Sequence, residues 1–226
     1  MSTQDDASHV TWPRRIRSFV KRDARLTRGQ LNAFDRYWSH YALDPVDLAQ
    51  FPTRQPVIVE IGFGNGESLH QTARQHPTLN FLGIEVHRPG VGHLLVQLGA
   101  EPLDNVRLLQ QDAIEVLQQF DDHTLQALHL YFPDPWHKKK HHKRRIVNAA
   151  FLELIAAKIK PQGVFHFATD WQPYAQAVEE LVTLPWQRLD PAAIDAYRQA
   201  YRPTTKFERR GLKLGHQVTD LVYQRR

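Results

Sequence analysis

The chain contains no cysteine among its 226 residues. This absence excludes disulfide bonds, zinc sites built on thiolates and a cysteine nucleophile. The chain also lacks any run of about 18 apolar residues that could span a membrane. Its first residues, MSTQDDASHV, are acidic where a secretory signal needs a basic region followed by an apolar one. We therefore expect a cytoplasmic protein with no membrane partner.

Basic residues are concentrated in two segments of the chain. Residues 14–28 hold seven Lys or Arg against one Asp, and residues 138–145 hold six against no acidic residue. Because the net charge is only +5, the rest of the chain is negatively charged. Two basic segments on an acidic body predict a polyanionic partner that binds at defined places.

Short apolar runs alternate with helical patterns along most of the chain. The runs that read as buried strands are residues 57–61, 80–86, 106–111, 127–132 and 163–169. This alternation predicts an α/β fold with a doubly wound, mostly parallel sheet. The tail at 219–226 can add an antiparallel strand at the edge of that sheet.

The clearest helical pattern lies in residues 144–160, and we expect this helix to begin near residue 143. At the other end of the chain, the loop FPTRQP at 51–56 reads as a domain boundary. We therefore divide the chain into a basic extension at 1–55, partly helical or flexible, and an α/β domain at 56–226.

Three glycines follow directly on the first predicted strand. Gly62, Gly64 and Gly66 lack a Cβ, so the backbone there can turn sharply and approach a ligand closely. Their spacing differs from the Gly-x-Gly-x-x-Gly of dinucleotide-binding proteins because residue 67 is glutamate. The adjacent Glu60 would repel a pyrophosphate but suits S-adenosylmethionine, which carries a sulfonium and an amino group. Taken alone, the turn is equally compatible with a strand-to-helix connection that binds nothing.

Two more carboxylates lie at the ends of later strands. Glu85 ends the second predicted strand, where an acidic side chain can accept hydrogen bonds from ribose hydroxyls. Asp112 follows the third strand and could accept from an adenine amino group. Ligands of open α/β sheets bind at the carboxyl edge of the strands. Carboxylates at that edge on successive strands therefore predict a cofactor site.

The fourth predicted strand leads into FPDPWHKKKHHKRR at 132–145, and here the sequence resembles a known family. This motif, the glycine turn, ATDW at 168–171 and TTKFERRG at 204–211 are similar to those of the bacterial tRNA (guanine-N7)-methyltransferases. The resemblance covers roughly residues 15–226 and includes RSFVKR and RLTRGQ upstream. Pro-Asp-Pro-Trp followed by a basic run is close to family-specific, whereas the glycine turn is shared by many methyltransferases.

The resemblance implies a class I methyltransferase that uses S-adenosylmethionine to methylate N7 of the guanosine at position 46 in the tRNA variable loop. It implies the catalytic residue Asp134 and a set of cofactor-binding residues, which are Glu60, Gly62, Gly64, Gly66, Glu85, Asp112 and Asp134. The substrate-binding residues that it implies are Lys138, Asp170, Thr205, Lys206, Phe207 and Glu208. The implied RNA contacts are Lys140, His141, His142, Lys143, Arg144 and Arg145.

The chemistry of guanine restricts what Asp134 can do. Guanine N7 already carries a lone pair, so its methylation needs no base to deprotonate the nucleophile. We expect the carboxylate to accept from the guanine N1 and amino hydrogens and to stabilise the positive charge that develops on the ring. Trp136 could stack on a base. Alternatively, the Pro-Asp-Pro-Trp segment has only a structural role, as a rigid loop with a half-buried tryptophan.

The basic run at 138–145 leads into the predicted helix near residue 143, where the helix dipole disfavours cations. Cations become favourable there when phosphates bind, which again predicts RNA. His137, His141 and His142 do not predict a metal site, because the neighbouring lysines would repel the ion. We expect a monomer, although the sequence does not fix the oligomeric state.

Two alternatives from other classes of protein stay open. An NAD-dependent dehydrogenase would share the sheet, but the chain lacks the dinucleotide glycine spacing and a Tyr-x-x-x-Lys pair. A non-catalytic RNA-binding protein would explain the basic run but not the three carboxylates of the cofactor type.

Overall fold

The computed structural model describes residues 17–19, 25–43, 46–204, 208, 215 and 217–226. Its strands are β1 (Val57–Ile61), β2 (Asn80–Ile84), β3 (Val106–Leu109), β4 (Leu125–Tyr131), β5 (Ile159–Thr169), β6 (Trp186–Arg188) and β7 (Thr219–Arg225). Its helices are α1 (Arg28–Tyr41), α2 (Glu67–Gln75), α3 (Arg88–Ala100), α4 (Ala113–Leu117), α5 (Ala149–Lys158), α6 (Gln172–Leu181) and α7 (Pro191–Tyr201). Two short 3-10 helices lie at Leu48–Gln50 and Lys139–Arg144.

The strands form one sheet in the order β3-β2-β1-β4-β5-β7-β6. From β3 to β5 all neighbouring strands are parallel, and β7 pairs with both β5 and β6 in antiparallel fashion. The order reverses between β1 and β4, which is the switch point where doubly wound sheets bind ligands. The predicted doubly wound, mostly parallel sheet is thus confirmed.

The C-terminal tail forms the antiparallel strand that the sequence predicts, but not at the edge. β7 lies between β5 and β6, so the edge position belongs to β6. The sequence did not predict β6 because its segment, Trp-Gln-Arg, is too short to show a strand pattern.

The inner strands are buried on both faces, as parallel strands flanked by helices must be. In β1, Val57, Val59 and Ile61 join the core on one face of the sheet, whereas Ile58 joins the core on the other. This division follows from the alternation of side chains along a strand. Helix α1 packs on α3, and Leu43, between α1 and β1, is fully buried.

Helix α5 begins later than its apolar pattern predicts. Its first residue is Ala149, and the Asn148 side chain caps it by accepting from the Phe151 amide at 3.1 Å. The basic run forms the separate 3-10 helix Lys139–Arg144 instead. Cations in the first turn of α5 would oppose the helix dipole, whereas Asn is a favoured cap. The expected helix start near residue 143 is therefore wrong.

No helix within the described residues combines the length and the apolar character needed to cross a bilayer.

Candidate active site

Two adjoining cavities lie at the carboxyl edge of the sheet, beside the switch point between β1 and β4. The first has a volume of about 230 Å³, and its lining includes the predicted residues Gly62, Glu85, Asp112 and Asp134. The second has a volume of about 360 Å³, and Glu60, Gly64 and Arg202 line it. Both cavities share Gly62, Tyr131 and Phe132. The fold therefore brings together all the predicted cofactor residues except Gly66, which lies beside them in the same turn.

The glycine turn needs glycine for two different reasons. Gly62, Gly64 and Gly66 all have positive φ angles, of 70°, 59° and 78°. A Cβ added to Gly62 or Gly64 would meet no atom within 4 Å, so these positions leave open space for a ligand. A Cβ added to Gly66 would lie 2.6 Å from the Cβ of Leu94, so this glycine lets α3 pack closely.

Glu85 is held rigidly at the end of β2. Its Oε2 accepts from the Gly64 amide at 2.9 Å, and its Oε1 accepts from the His87 amide at 2.8 Å. Each carboxylate oxygen can accept a second hydrogen bond, so both remain able to bind hydroxyl groups. Glu85 therefore links the glycine turn to the end of β2 and fixes its own orientation toward the cavity.

Glu60 is buried at the end of β1, with 4% of its surface exposed. Burial, and next the charge of Glu85, raise the pKa of Glu60 to about 8. A cationic ligand nearby would favour the ionised form and lower this pKa again. The position therefore suits the ammonium or sulfonium group of a ligand.

Asp112 caps α4 and lies three residues beyond the end of β3. Its Oδ1 accepts from the Ile114 amide at 3.0 Å, which fixes the carboxylate at the cavity wall. The N-terminal segment contributes Ser18 and Phe19 to the same wall.

The loop after β4 carries Asp134 to the rim of the first cavity. The side chain of Asp134 is exposed, whereas its neighbours Pro133 and Pro135 are half-buried. Phe132 and Trp136 both have φ angles of 49°, a conformation that is strained for residues other than glycine. Strain of this kind persists only where the surroundings enforce it, and it is concentrated at functional sites.

Two arginines of the basic run hold this loop. Arg145 is 7% exposed; its Nε donates to the Pro135 carbonyl at 2.9 Å, and its guanidinium lies 4.5 Å from the ring centre of Tyr174. The guanidinium of Arg144 lies 4.3 Å from the ring centre of Trp136. Trp136 Nε1 in turn donates to the Ser18 carbonyl at 3.2 Å. These contacts engage Trp136 and Arg145 within the protein.

The rest of the basic run faces solvent. Lys138, Lys139, Lys140 and Lys143 are exposed. His141 is half-buried, and burial together with the surrounding cations lowers its pKa. His142 Nε2 contacts the Arg145 guanidinium at 3.2 Å. No cluster of three His, Asp or Glu side chains suited to a metal ion occurs in the part of the chain that the structure describes.

The remaining predicted substrate residues are placed unequally. Asp170 follows β5 directly and is half-buried. Glu208 is buried, and its Oε2 accepts from Arg202 Nη1 at 2.6 Å. Thr205, Lys206 and Phe207 lie outside the described residues.

A buried polar network next to the second cavity escaped sequence analysis. Arg202 donates through Nε and Nη2 to the two carboxylate oxygens of Asp220, at 2.7 and 2.9 Å. Asp220 also contacts His166 Nε2 at 2.7 Å, and His166 Nδ1 contacts the Tyr131 hydroxyl at 3.1 Å. The sequence does show charged and imidazole residues within otherwise apolar strands. Which of these residues contact each other depends on the strand order β4-β5-β7, which the sequence does not show.

Solved methyltransferase structures share this fold. The 16S rRNA methyltransferase KamB superposes with a TM-score of 0.51 at 17% identity, covering 93% of this chain and 98% of that chain. A mutant form of the 16S rRNA (adenine(1408)-N(1))-methyltransferase from Catenulisporales acidiphilia gives 0.52 at 16% identity, covering 79% and 93%. At such low identity the likeness concerns the fold alone. The doubly wound sheet and the carboxylate-lined glycine turn at its switch point define a class I methyltransferase.

Sequence comparisons identify the family. A family model described as "Putative methyltransferase" matches residues 54–221. The tRNA (guanine-N(7)-)-methyltransferase of Cronobacter sakazakii is 49% identical over 220 residues, covering 94% of this chain and 92% of that protein. The enzyme of the same name from Alkalilimnicola ehrlichii is 46% identical over 229 residues and covers 97% of both chains. The chain belongs to the tRNA (guanine-N7)-methyltransferase family, which confirms the resemblance seen in its motifs.

Proposed function

We propose that the protein transfers a methyl group from S-adenosylmethionine to N7 of the guanosine at position 46 in the variable loop of tRNA. The relatives at 46–49% identity are named for guanine-N7 methylation of tRNA. The observation that carries the proposal is the position of Asp134, which lines the same cavity as Glu85 and Asp112. A base bound by Asp134 would therefore lie next to a cofactor bound by the other two carboxylates.

The residues of the first and second cavities fit S-adenosylmethionine. Gly62 and Gly64 leave open space where a Cβ would otherwise project. Glu85 would accept from the ribose hydroxyls, Asp112 from the adenine amino group, and Glu60 would face the cationic end. When bound, this cofactor supplies the methyl group on a sulfonium that makes it electrophilic. Hydrogen bonds from backbone amides already hold the carboxylates of Glu85 and Asp112 in position for these contacts.

Asp134 would act on guanine by orientation and electrostatics. Its carboxylate would accept from guanine N1 and the exocyclic amino group, which would fix the base for in-line attack by N7. The same negative charge would stabilise the positive charge that develops on the ring as the N7–methyl bond forms. The rigid prolines and the two arginines that hold the loop would keep the carboxylate in place. Asp134 therefore needs no role as a general base.

The exposed lysines Lys138, Lys139, Lys140 and Lys143 would hold the tRNA by its phosphates. Contacts of this kind position a nucleic acid without reading its sequence. Since the lysines follow Asp134 closely in the chain, the RNA that they hold would lie next to the cofactor cavity. Family membership favours this function over the dehydrogenase and the non-catalytic RNA-binding protein.

A methylation assay tests the proposal. Unmodified tRNA is incubated with the protein and methyl-labelled S-adenosylmethionine, then digested, and the nucleosides are analysed. We expect labelled 7-methylguanosine, and we expect none from a tRNA that carries adenosine at position 46. Label retained in that tRNA variant would refute the position, and absence of label from all tRNA would refute the activity.

A further inference from the structure

Trp171 is a large aromatic residue that stays exposed beside the active site. It follows β5 and Asp170, and 36% of its surface is exposed. Its amide donates to the Thr169 hydroxyl at 3.2 Å, and its carbonyl accepts from the Tyr174 amide at 2.9 Å. These bonds fix the backbone of Trp171 between the end of β5 and the start of α6.

The fold brings Trp171 next to the loop that carries Asp134. The Phe132 amide donates to the Ala168 carbonyl at 2.8 Å, so this loop begins beside the end of β5. Further along the same loop, the ring centre of His137 lies 4.3 Å from that of Trp171, with the two rings inclined by 56°. The indole is thus supported by His137, which is three residues beyond Asp134 in the chain.

The surroundings of Trp171 differ from those of Trp136. Arg144 covers a face of Trp136, whose indole nitrogen is bonded to Ser18. Trp171 instead keeps 36% of its surface exposed and contacts His137, whose neighbour in the chain is the exposed Lys138. Sites for unpaired nucleic acid combine exposed aromatic rings with neighbouring cations, because bases stack on the rings while the cations hold phosphates.

We propose that Trp171, supported by His137, is a subsite on which one unstacked nucleobase of the substrate RNA stacks. The base is either the target guanine or one of its two neighbours in the chain. This subsite is distinct from the predicted substrate residues and from Trp136, which the sequence offers as a residue that could stack on a base. The inference rests on the proposed function, since it needs RNA at this edge of the sheet.

Substitution of the indole tests the subsite. Loss of one base–aromatic stack corresponds to a decrease of about 5- to 150-fold in kcat/KM for tRNA. We expect that decrease for Trp171→Ala, whereas Trp171→Phe keeps a ring and should stay within about fivefold of the natural protein. Leu184→Ala is the matched control, because Leu184 is another exposed apolar residue, 77% exposed, beyond the far end of α6.

Cofactor affinity and thermal stability separate stacking from damage to the fold. Cofactor affinity should match the natural protein in Trp171→Ala, since Trp171 does not line the cofactor cavity, and the melting temperature should fall only by the loss of the contact with His137. If Trp171→Ala binds S-adenosylmethionine weakly or melts early, Trp171→Phe decides: kcat/KM within about fivefold of the natural protein is the expected result, and a larger decrease would overturn the subsite.

Abasic substrates identify the stacked base. The kinetics of the natural protein and of Trp171→Ala are compared on tRNAs that lack the base on the 5′ or the 3′ side of the target. The two proteins should become equal on the substrate that lacks the stacked base. If the difference persists on both substrates, the target guanine itself stacks, and Trp171→Ala should then raise KM for free guanosine as well.

Three results would overturn the subsite. They are a Trp171→Ala protein within twofold of the natural one, a Trp171→Phe protein as impaired as Trp171→Ala, or a difference that persists with all abasic substrates and with guanosine unaffected. Each of these leaves the natural protein methylating tRNA. Failure of the proposed function would differ, because the natural protein would then methylate no tRNA.

Discussion

The cofactor side and the loop side of the candidate site differ in what holds them in place. On the cofactor side, backbone amides of Gly64, His87 and Ile114 fix the carboxylates of Glu85 and Asp112. On the loop side, the side chains of two arginines hold the backbone and the ring around Asp134. Backbone contacts follow from the fold itself, whereas the loop depends on particular side chains. Arg144 and Arg145 of the basic run therefore brace the loop, and we propose that its exposed lysines bind RNA.

The largest expected effect tests the chemical role of the loop side. We expect Asp134→Asn to lower kcat by about 100-fold or more, because an amide presents an NH2 group to the donors of guanine and carries no charge. Calorimetry should find S-adenosylmethionine affinity nearly intact. Asp121→Asn is a matched surface control and should keep full activity. Near-normal turnover in Asp134→Asn would make the motif a purely structural loop.

The next effect tests the cofactor side. Glu85→Ala should weaken S-adenosylmethionine binding by about 1–3 kcal/mol, the usual loss when a charged hydrogen-bond partner is removed. It should also lower the melting temperature, because the Gly64 and His87 amides lose their acceptor. Affinity for tRNA should hardly change. The control is Glu101→Ala, which removes a half-exposed ion-pair partner of Arg74. Equal cofactor affinity in the two variants would contradict the prediction that Glu85 binds the ribose hydroxyls.

A third comparison separates the two tasks of the basic run. Changing Lys139, Lys140 and Lys143 together to Gln should make the slope of log affinity against log salt shallower by about 2–3, at about 0.7–0.9 per phosphate. Thermal stability should stay level, because all three side chains are exposed. Binding of tRNA measured from about 50 to 200 mM salt gives the slope.

The control for this experiment removes the same charge elsewhere. It replaces three exposed arginines by Gln, namely Arg54, Arg74 and Arg188. Equal slopes in the two triple variants would show that net charge, not a local phosphate contact, governs binding.

Arg145→Gln should behave in the opposite way to the lysine variant. Its melting temperature should fall and its salt slope should be almost unchanged, since Arg145 is buried.

The smallest effect concerns the pH dependence of cofactor binding. The raised pKa of Glu60, about 8, keeps this side chain protonated at neutral pH when no ligand is bound. A cationic ligand favours the ionised form, so binding should release a proton, and affinity should rise by up to about tenfold per pH unit until pH reaches about 8. Calorimetry in buffers of different ionisation enthalpy measures the proton release. Glu60→Gln should abolish both effects.

The same carboxyl group affects stability without the ligand. A pKa that is higher in the folded than in the unfolded chain stabilises the fold at low pH. The contribution of Glu60 to the free energy of unfolding should therefore fall as pH rises from its ordinary pKa to about 8, and should change little above that.

For the prediction on cofactor binding, an affinity of the natural protein that does not depend on pH would show that Glu60 does not face the cation.

Sequence predicted the cofactor side better than the loop side for a physical reason. Glu60, Glu85 and Asp112 lie at or just beyond the ends of apolar strands, so the parallel sheet alone brings them to one edge. The conformation of residues 132–148 depends instead on tertiary contacts, such as Arg144 with Trp136 and Arg145 with Tyr174. Neither the late start of α5 nor the exposure of Trp171 could be read from local patterns. The partners of His166 and Asp220 were hidden because β5 and β7 are separated along the chain by α6, β6 and α7.

The guanidinium of Arg202 also acts as a clip in a chain that has no cysteine. It binds Asp220 and Glu208 together, so it joins the end of α7 to β7. Burial opposes ionisation of Asp220, but the bonds from His166 and Arg202 prevail and lower its pKa. A disulfide closing a loop of similar length stabilises a protein by about 3 kcal/mol, mainly by restricting the unfolded chain. The ionic clip acts only in the folded chain and needs no oxidant, and acid that protonates Asp220 would release it where a disulfide would hold.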